Sequence, residues 1–506
     1  MYSLGGGLFL AVFISSLICF GLPIIIAEFI KGVDMGGIIV MFRIVPLLKS
    51  IAFAPIGYVA ILLPYYAVLC SYSIVYLGKS LYGADEFNAA FSGCNSSWNT
   101  IQCKTPAQVF DIGNGINKYY NDSQIPSHRS KYTTPAEEYF AATIDRSVWR
   151  NERFHDGDYF GDSTFNIFVA GGLCLFCALL VPFFVAMPAS LGILSALSYL
   201  ASMICMGMLA VRASTLDGYR EAMSYAFTPG STHNLAHLSN EVATTIIFMF
   251  ALGLGVIPTL AQYGRNNTST ESAGSATSAC ASCWHSRNRR WCIDIAVAMV
   301  LLIKICVLST VIHLGFGGFL AVTRGRSLAD VISSGIESSF IVMPTIFSSI
   351  SFGDKFAAIY FLMLTLFGLT STACCIETLA NCIFVLVEGT SGIIEYSRCH
   401  ERVARFAFAL LAIVYTFLFG LGFCTHESGP AVIRLLDNNL FTLAPFVIAV
   451  ELSVVSLYLI LKVSRYHQQL GLSTLARVLA LIWAVLLAVI AFVYSAQYIQ
   501  NCTHVC

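Results

Sequence analysis

Charge is what this 506-residue chain has least of: Asp, Glu, Lys and Arg make up 11% of it, against about one quarter in a soluble domain. That scarcity excludes a soluble globular protein. The 28 basic and 28 acidic residues cancel, so no charged face speaks for nucleic acid or for an acidic partner. The opening MYSLGGG lacks a basic n-region. The apolar stretch behind it is too long for the h-region of a secretory leader. No nucleophile–base spacing, phosphate-binding loop or glycosidase-like carboxylate pair occurs, so the chain is read as no enzyme.

Apolar sequence is abundant instead. The chain is 57% hydrophobic, with a mean hydropathy of +0.75. A span needs about 20 apolar residues. Ten candidates are read, at 8–30, 50–78, 164–186, 189–211, 243–263, 293–321, 355–387, 403–423, 431–461 and 475–498. Cations in short loops set orientation. With the N-terminal end of the first span outside, 13 Lys and Arg residues fall in inner loops and five in short outer ones. Ten spans and a broken fifth span also disfavour a seven-span receptor.

This orientation places 79–163 outside as a long polar loop. It holds CNSSWNTIQC, in which Cys94 and Cys103 frame a sequon at Asn95, and a second sequon at Asn121. An external cysteine pair around a short loop reads as a disulfide. The segment 265–292 reads as a cytoplasmic basic loop. Its CASCWHSRNRRWC run suits free thiols or palmitoylation beside a basic patch better than a metal. The stretch FMFALGLGVIPTLAQYG (Phe248–Gly264) puts Gly253, Gly255 and Pro258 inside a span. Either small residues let two helices pack closely, or one helix opens around a bound solute. Both readings stand on the residues alone.

Several segments occur together in one order: GGGLFL and GLPIIIAEFIKG (Gly5–Gly32), LPYYAVLCSYSIVYL (Leu63–Leu77), CNSSWNTIQC, PAEEYF (Pro135–Phe140), GLGVIPTLAQYGRNN (Gly253–Asn267) and FGLTSTACCIETL (Phe367–Leu379). In that order they resemble the neurotransmitter:sodium symporters, solute carrier family 6, over nearly the whole chain. The resemblance implies an all-α, polytopic, inverted-repeat fold with substrate and ions at discontinuous helices. In the family GGG follows the first membrane helix. The ten spans therefore correspond to family helices two to eleven, truncated at both ends. The region 327–350 resembles the family's re-entrant helical hairpin on the outer side.

The same resemblance implies a site. Gly253, Leu254 and Gly255 match the unwound point of helix six. Tyr66 matches the tyrosine that closes over the substrate carboxylate, and Phe248 the aromatic lid. Pocket size depends on positions such as Leu62, Leu254 and Cys375. The carbonyl of Phe367 with Thr370 and Ser371 matches the helix-eight side of the second sodium site, where hard oxygen ligands suit Na⁺. On residues alone, Tyr66 equally bonds a neighbouring helix, and Thr370-Ser371 equally back-bonds to its own helix. Met249 and Leu302 stand where the first sodium has oxygen ligands, and Phe13, Thr245 and Cys306 where chloride is held. Sulfur and alkyl groups serve Na⁺ poorly, so first-sodium and chloride coordination are not expected. Asp437 matches an outer-gate residue, left here to water or Arg434. Glu28 and Glu377 read as structural or cavity-lining. Lys304 and Glu451 fall within spans. Lys304 either snorkels or pairs with a neighbour, or its cation stands in for Na⁺.

The expected function is sodium-dependent symport of a small zwitterionic or amine solute by alternating access at the plasma membrane. The partners expected are that solute and the lipid bilayer. The alternatives are a non-transporting relative acting as scaffold or regulator, and an incomplete gene model.

Overall fold

The computed structural model describes residues 6–35, 53–101, 103–105, 133–145, 164–227, 235–271, 281–325, 328, 335–391, 398–426 and 428–437. Every regular element there is helical. The only extended pairings among described residues are two isolated bridges, Cys103 with Thr133 and Phe165 with Thr425.

The first span divides into α1 (Gly6–Ser16), a π turn (Leu17–Gly21) and α2 (Leu22–Met35). The second is α3 (Phe53–Leu81). Two short helices follow at one end of the bundle, α4 (Ala84–Phe91) and α5 (Pro135–Thr143). Then come α6 (Ile167–Leu180), α7 (Ala189–Ser214), α8 (Tyr219–Phe227), α9 (Leu235–Phe250) and α10 (Val256–Glu271). The chain continues through α11 (Ala281–Arg324), α12 (Met343–Ser348), α13 (Gly353–Ser391) and α14 (Arg398–Leu421). A final helical segment covers 428–437.

Among the described residues, seven stretches are long and apolar enough to cross a membrane: Gly7–Ile26, Pro55–Leu81, Ile167–Phe184, Ala189–Ser214, Ala296–Arg324, Gly353–Val387 and Arg402–Leu421. They coincide with seven of the ten expected spans. The span expected at 243–263 is instead two shorter helices, α9 and α10. The spans at 431–461, past residue 437, and at 475–498 lie outside the described residues, as do Glu451 and Asn121. The segment 265–292 differs from the loop reading. It is helical to Glu271 and again from Ala281, because polar sequence continues a helix beyond the bilayer as readily as it ends one.

In lipid no hydrophobic force pulls helices together, so close packing and polar contacts must do it. Small residues mark the closest approaches. A Cβ on Gly368 of α13 would strike the Cys70 thiol of α3, and one on Gly32 of α2 would strike the Pro258 carbonyl of α10. The α3–α13 pair is the spine of the bundle. Near the end that carries α4 and α5 it gathers an aromatic cluster. The Tyr76 ring lies 5.6 Å from Phe91, 5.4 Å from Tyr139, 5.2 Å from Phe340 and 5.0 Å from Phe361. Such offset and edge-on pairs add about 0.5–1.5 kcal/mol each beyond area burial.

That end is also fixed by a disulfide, Cys94–Cys103, with an S–S distance of 2.05 Å. Thr134 caps α5 by accepting from the Glu137 amide at 3.3 Å, while Glu137 accepts from the Thr134 amide at 2.7 Å. This reciprocal box satisfies two donors a helix start leaves open. One residue on, Glu138 is fully buried.

Candidate functional site

The break between α9 and α10 is local chemistry. Residues 251–255 leave the helix, with Ala251 at φ 51°, Gly253 at φ 71° and Gly255 at φ 73°. A side chain in that left-handed region costs about 1–2 kcal/mol. Glycine avoids the cost twice, and only Ala251 carries it. The turn is held by Leu252 N–H donating to Ile247 at 3.0 Å and by Gly253 N–H donating to the Glu28 carboxylate of α2 at 2.8 Å. Glu28 thus joins the break, a role its position near the end of the first span did not disclose. The signal was present: a buried carboxylate needs donors, and an unwound turn offers amides. The start of α10 at Val256 points its partial positive charge at the break.

On α3, the Tyr66 hydroxyl reaches both Ser371 of α13 and Cys70, one turn along its own helix. Two of the expected site residues therefore meet. Ser371 is exposed, while Tyr66 and Thr370 are half-buried. Thr370 donates to the Leu366 carbonyl at 3.1 Å. That is the back-bonded arrangement, and it still leaves the hydroxyl oxygen's lone pairs free to accept. Phe367 is half-buried on the same helix. The Phe248 ring lies 6.4 Å from Tyr58, two helical turns from Tyr66. Leu254 and Leu62 are buried, and Cys375 is half-buried.

The positions that depart from the resemblance pack as carbon and sulfur. Cys306 of α11 and Met249 of α9 bring thiol and thioether to 2.9 Å. The Phe13 ring stacks on Phe9 at 6.1 Å. Leu302 lines an apolar cavity of about 180 Å³ with Ile25, Phe29, Phe250, Ile257 and Met299.

Asp437 corrects an expectation. Arg434 does not serve it, because Arg434 pairs with buried Asp145 at 2.8 Å. The partner of Asp437 is instead the Tyr65 hydroxyl, which donates to it at 2.5 Å. Residues 434 and 437 are i,i+3 neighbours on one helical segment, which puts them within reach of each other, yet each is taken by a partner from elsewhere in the bundle.

The sequence reading also missed a cluster at the opposite end from the disulfide. The Tyr263 hydroxyl of α10 donates to Glu377 of α13. Arg405 of α14 donates to Tyr263 at 3.1 Å and to Asn381 at 3.1 Å, and stands 3.8 Å from Glu377. Glu377 is buried, so it lines no open cavity here. The available signal was three polar residues at matching depth near the ends of three apolar spans, two of them oppositely charged.

An all-helical bundle with one membrane helix opened at its middle belongs to the broken-helix class of membrane proteins, in which freed backbone faces a central site. The chain is a multi-pass membrane protein of that class, and it belongs to the Sodium:neurotransmitter symporter family, which it matches over residues 1–504. It is 24% identical over 450 residues to the sodium- and chloride-dependent GABA transporter 2 of Rattus norvegicus, covering 86% of this chain and 64% of the relative. It is 26% identical over 450 residues to the sodium- and chloride-dependent taurine transporter of Rattus norvegicus, covering 86% and 62%. The chain thus spans slightly under two thirds of these relatives. Its fold is similar to the crystal structure of MhsT in complex with L-phenylalanine, with TM-score 0.57 and 14% identity, covering 98% of this chain and 91% of that one.

Proposed function

We propose that the chain carries sodium-dependent symport of a small amino acid or amine-type solute across the plasma membrane by alternating access. The observation that carries this reading is the opened helix at Ala251–Gly255. The solute is held by freed backbone at Gly253, Leu254 and Gly255, with Tyr66, Phe248 and Ser371 around it. One sodium ion takes oxygens from Phe367, Thr370 and Ser371. The reading assigns neither a first sodium nor a chloride to the sulfur and ring carbon of Met249, Cys306 and Phe13. Asp437 acts as a gate residue. The disulfide end faces outward, with Asn95 and Asn121 glycosylated; Asn95 is exposed, as a glycan requires.

The test is uptake of radiolabelled GABA and taurine, the solutes named for the relatives, into proteoliposomes holding this chain. Uptake that needs an inward sodium gradient and persists without chloride is the expected result. The contact of Met249 with Cys306 favours a second reading, a non-transporting family relative. That reading gains if the inserted, glycosylated chain binds neither solute nor sodium.

A further inference from the structure

Lys304 is a cation inside a membrane span, and among the described residues it has no hydrogen-bond or ion-pair partner. It is exposed. A charge at such depth is costly unless it is wetted or paired. Its surroundings are apolar: Val297 (52% exposed), Val300 (52%), Ile303 (43%) and Val307 (56%) share its face of α11. The face turned to the rest of the bundle is a different one, where Cys306 meets Met249. Lys304 therefore looks outward at lipid.

Depth decides what it meets. The apolar part of α11, Ala296–Arg324, has 29 residues, about 43 Å of helix at 1.5 Å per residue. The hydrocarbon layer is about 30 Å thick. Centred, that layer begins about 6 Å beyond Ala296, and Lys304 lies about 12 Å beyond it. Its Cα is then about 6 Å inside the hydrocarbon, a depth the extended side chain can span. The ammonium arrives in the headgroup layer while Ile303 and Val307 stay beside acyl chains. On the proposed orientation this is the inner leaflet. There α11 itself continues back to Ala281, carrying Arg287, Arg289 and Arg290, which draw anionic lipid.

We infer that Lys304 and the stripe Val300, Ile303 and Val307 form a seat for an anionic phospholipid of the inner leaflet. The lipid's phosphate meets the ammonium, and an acyl chain lies along the stripe. A second copy of this chain does not fit, since the same face would set Lys304 against Lys304. The inference goes beyond the transport reading and rests only on its orientation.

The test is electron paramagnetic resonance of trace spin-labelled phosphatidylserine or phosphatidylcholine in phosphatidylcholine nanodiscs holding the full chain. The wild type should hold phosphatidylserine about 3–5-fold more strongly, and the preference should fall with salt. Lys304→Gln should bring it close to parity, and Lys304→Arg should keep it. Lys304→Met, easier to insert, carries the same test should the glutamine variant misfold. A phosphatidylserine preference as large as that of the wild type in Lys304→Met or Lys304→Gln overturns the seat. So does a preference lost only in an R289Q/R290Q variant, or an acidic partner protein crosslinked at position 304. The measurement uses neither solute nor sodium, so a failure of transport leaves it intact.

Discussion

Glu138 and Glu377 are both buried carboxylates, at opposite ends of the bundle, and their surroundings are built on different plans. Glu138 accepts from the Thr100 amide at 2.8 Å, from Asn99 at 3.0 Å, from Thr133 at 2.6 Å and from the Thr100 hydroxyl. All four donors are neutral. They come from the disulfide loop and the strand bridge beside it. Glu377 is held by one tyrosine and one arginine, from two further helices. A cage of neutral donors within one substructure fixes a scaffold. A carboxylate shared among α10, α13 and α14 is a joint, and its contacts part whenever those helices separate. The proposed alternating access would use one end of each kind.

The sharpest way to break the comparison is at the cage. Glu138→Ala leaves several buried donors unsatisfied and should cost about 3–5 kcal/mol. Delivery to the cell surface and the thermal midpoint of the purified chain both report it. Glu138→Gln keeps two of the acceptor contacts and should cost less. An alanine variant delivered normally at an unchanged midpoint would mean that the cage is no scaffold.

Glu28 stands between the two plans, since it joins α2 to the opened turn through one amide. The next largest effect is expected there. Gly253→Val forces a β-branched residue to φ 71°, at about 2 kcal/mol. Solute binding should fall much further than stability, because the freed amides move. Equilibrium binding and thermal melting on the same preparation separate the two. Parallel losses would make the break a packing device and not a site.

The broken helix was legible in advance because glycine spacing and the resemblance pointed to the same three residues, Gly253 to Gly255. Seven of the ten spans, all among the described residues, could be read from apolar length alone, since length against bilayer thickness is a one-dimensional property. Pairings were not legible that way. Tyr65 with Asp437, Arg434 with Asp145, and Arg405 with Tyr263 join residues 372, 289 and 142 positions apart. Nothing in local spacing encodes such a choice. Asp437 shows the limit: helix register put Arg434 nearby, yet that side chain satisfies Asp145, whose burial is complete. The extent of α11 failed for another reason. Polarity marks where the bilayer ends, and helix propensity does not change there.

The joint at the other end should respond differently from the cage. Arg405→Ala removes hydrogen bonds to Tyr263 and Asn381 but leaves the Tyr263–Glu377 contact. A loss of about 1–1.5 kcal/mol is expected. The more telling readout is access: maleimide labelling of buried Cys382, 1% exposed in the intact chain, should quicken several-fold. A variant with wild-type labelling would make Arg405 a static brace, and the contrast with Glu138 would collapse.

The smallest effect returns to the cage end, where Glu86 pairs with Lys79 on the protein surface. The Lys79 ammonium holds the Glu86 carboxyl below its usual range. A carboxyl depressed on folding stabilises the fold above its unfolded titration range, and that contribution fades as pH falls through the folded range. Glu86 is 61% exposed, so solvent and salt screen most of the attraction. Glu86→Gln should melt with the wild type at neutral pH and also in acid below the depressed range of the folded carboxyl, where the wild-type carboxyl is protonated too. A gap at neutral pH that closes in acid would show the pair to be stronger than its exposure allows. The Trp98 ring, 6.0 Å from the Lys79 ammonium, would then be the group to remove next, because an aromatic face that shields the pair lowers its screening.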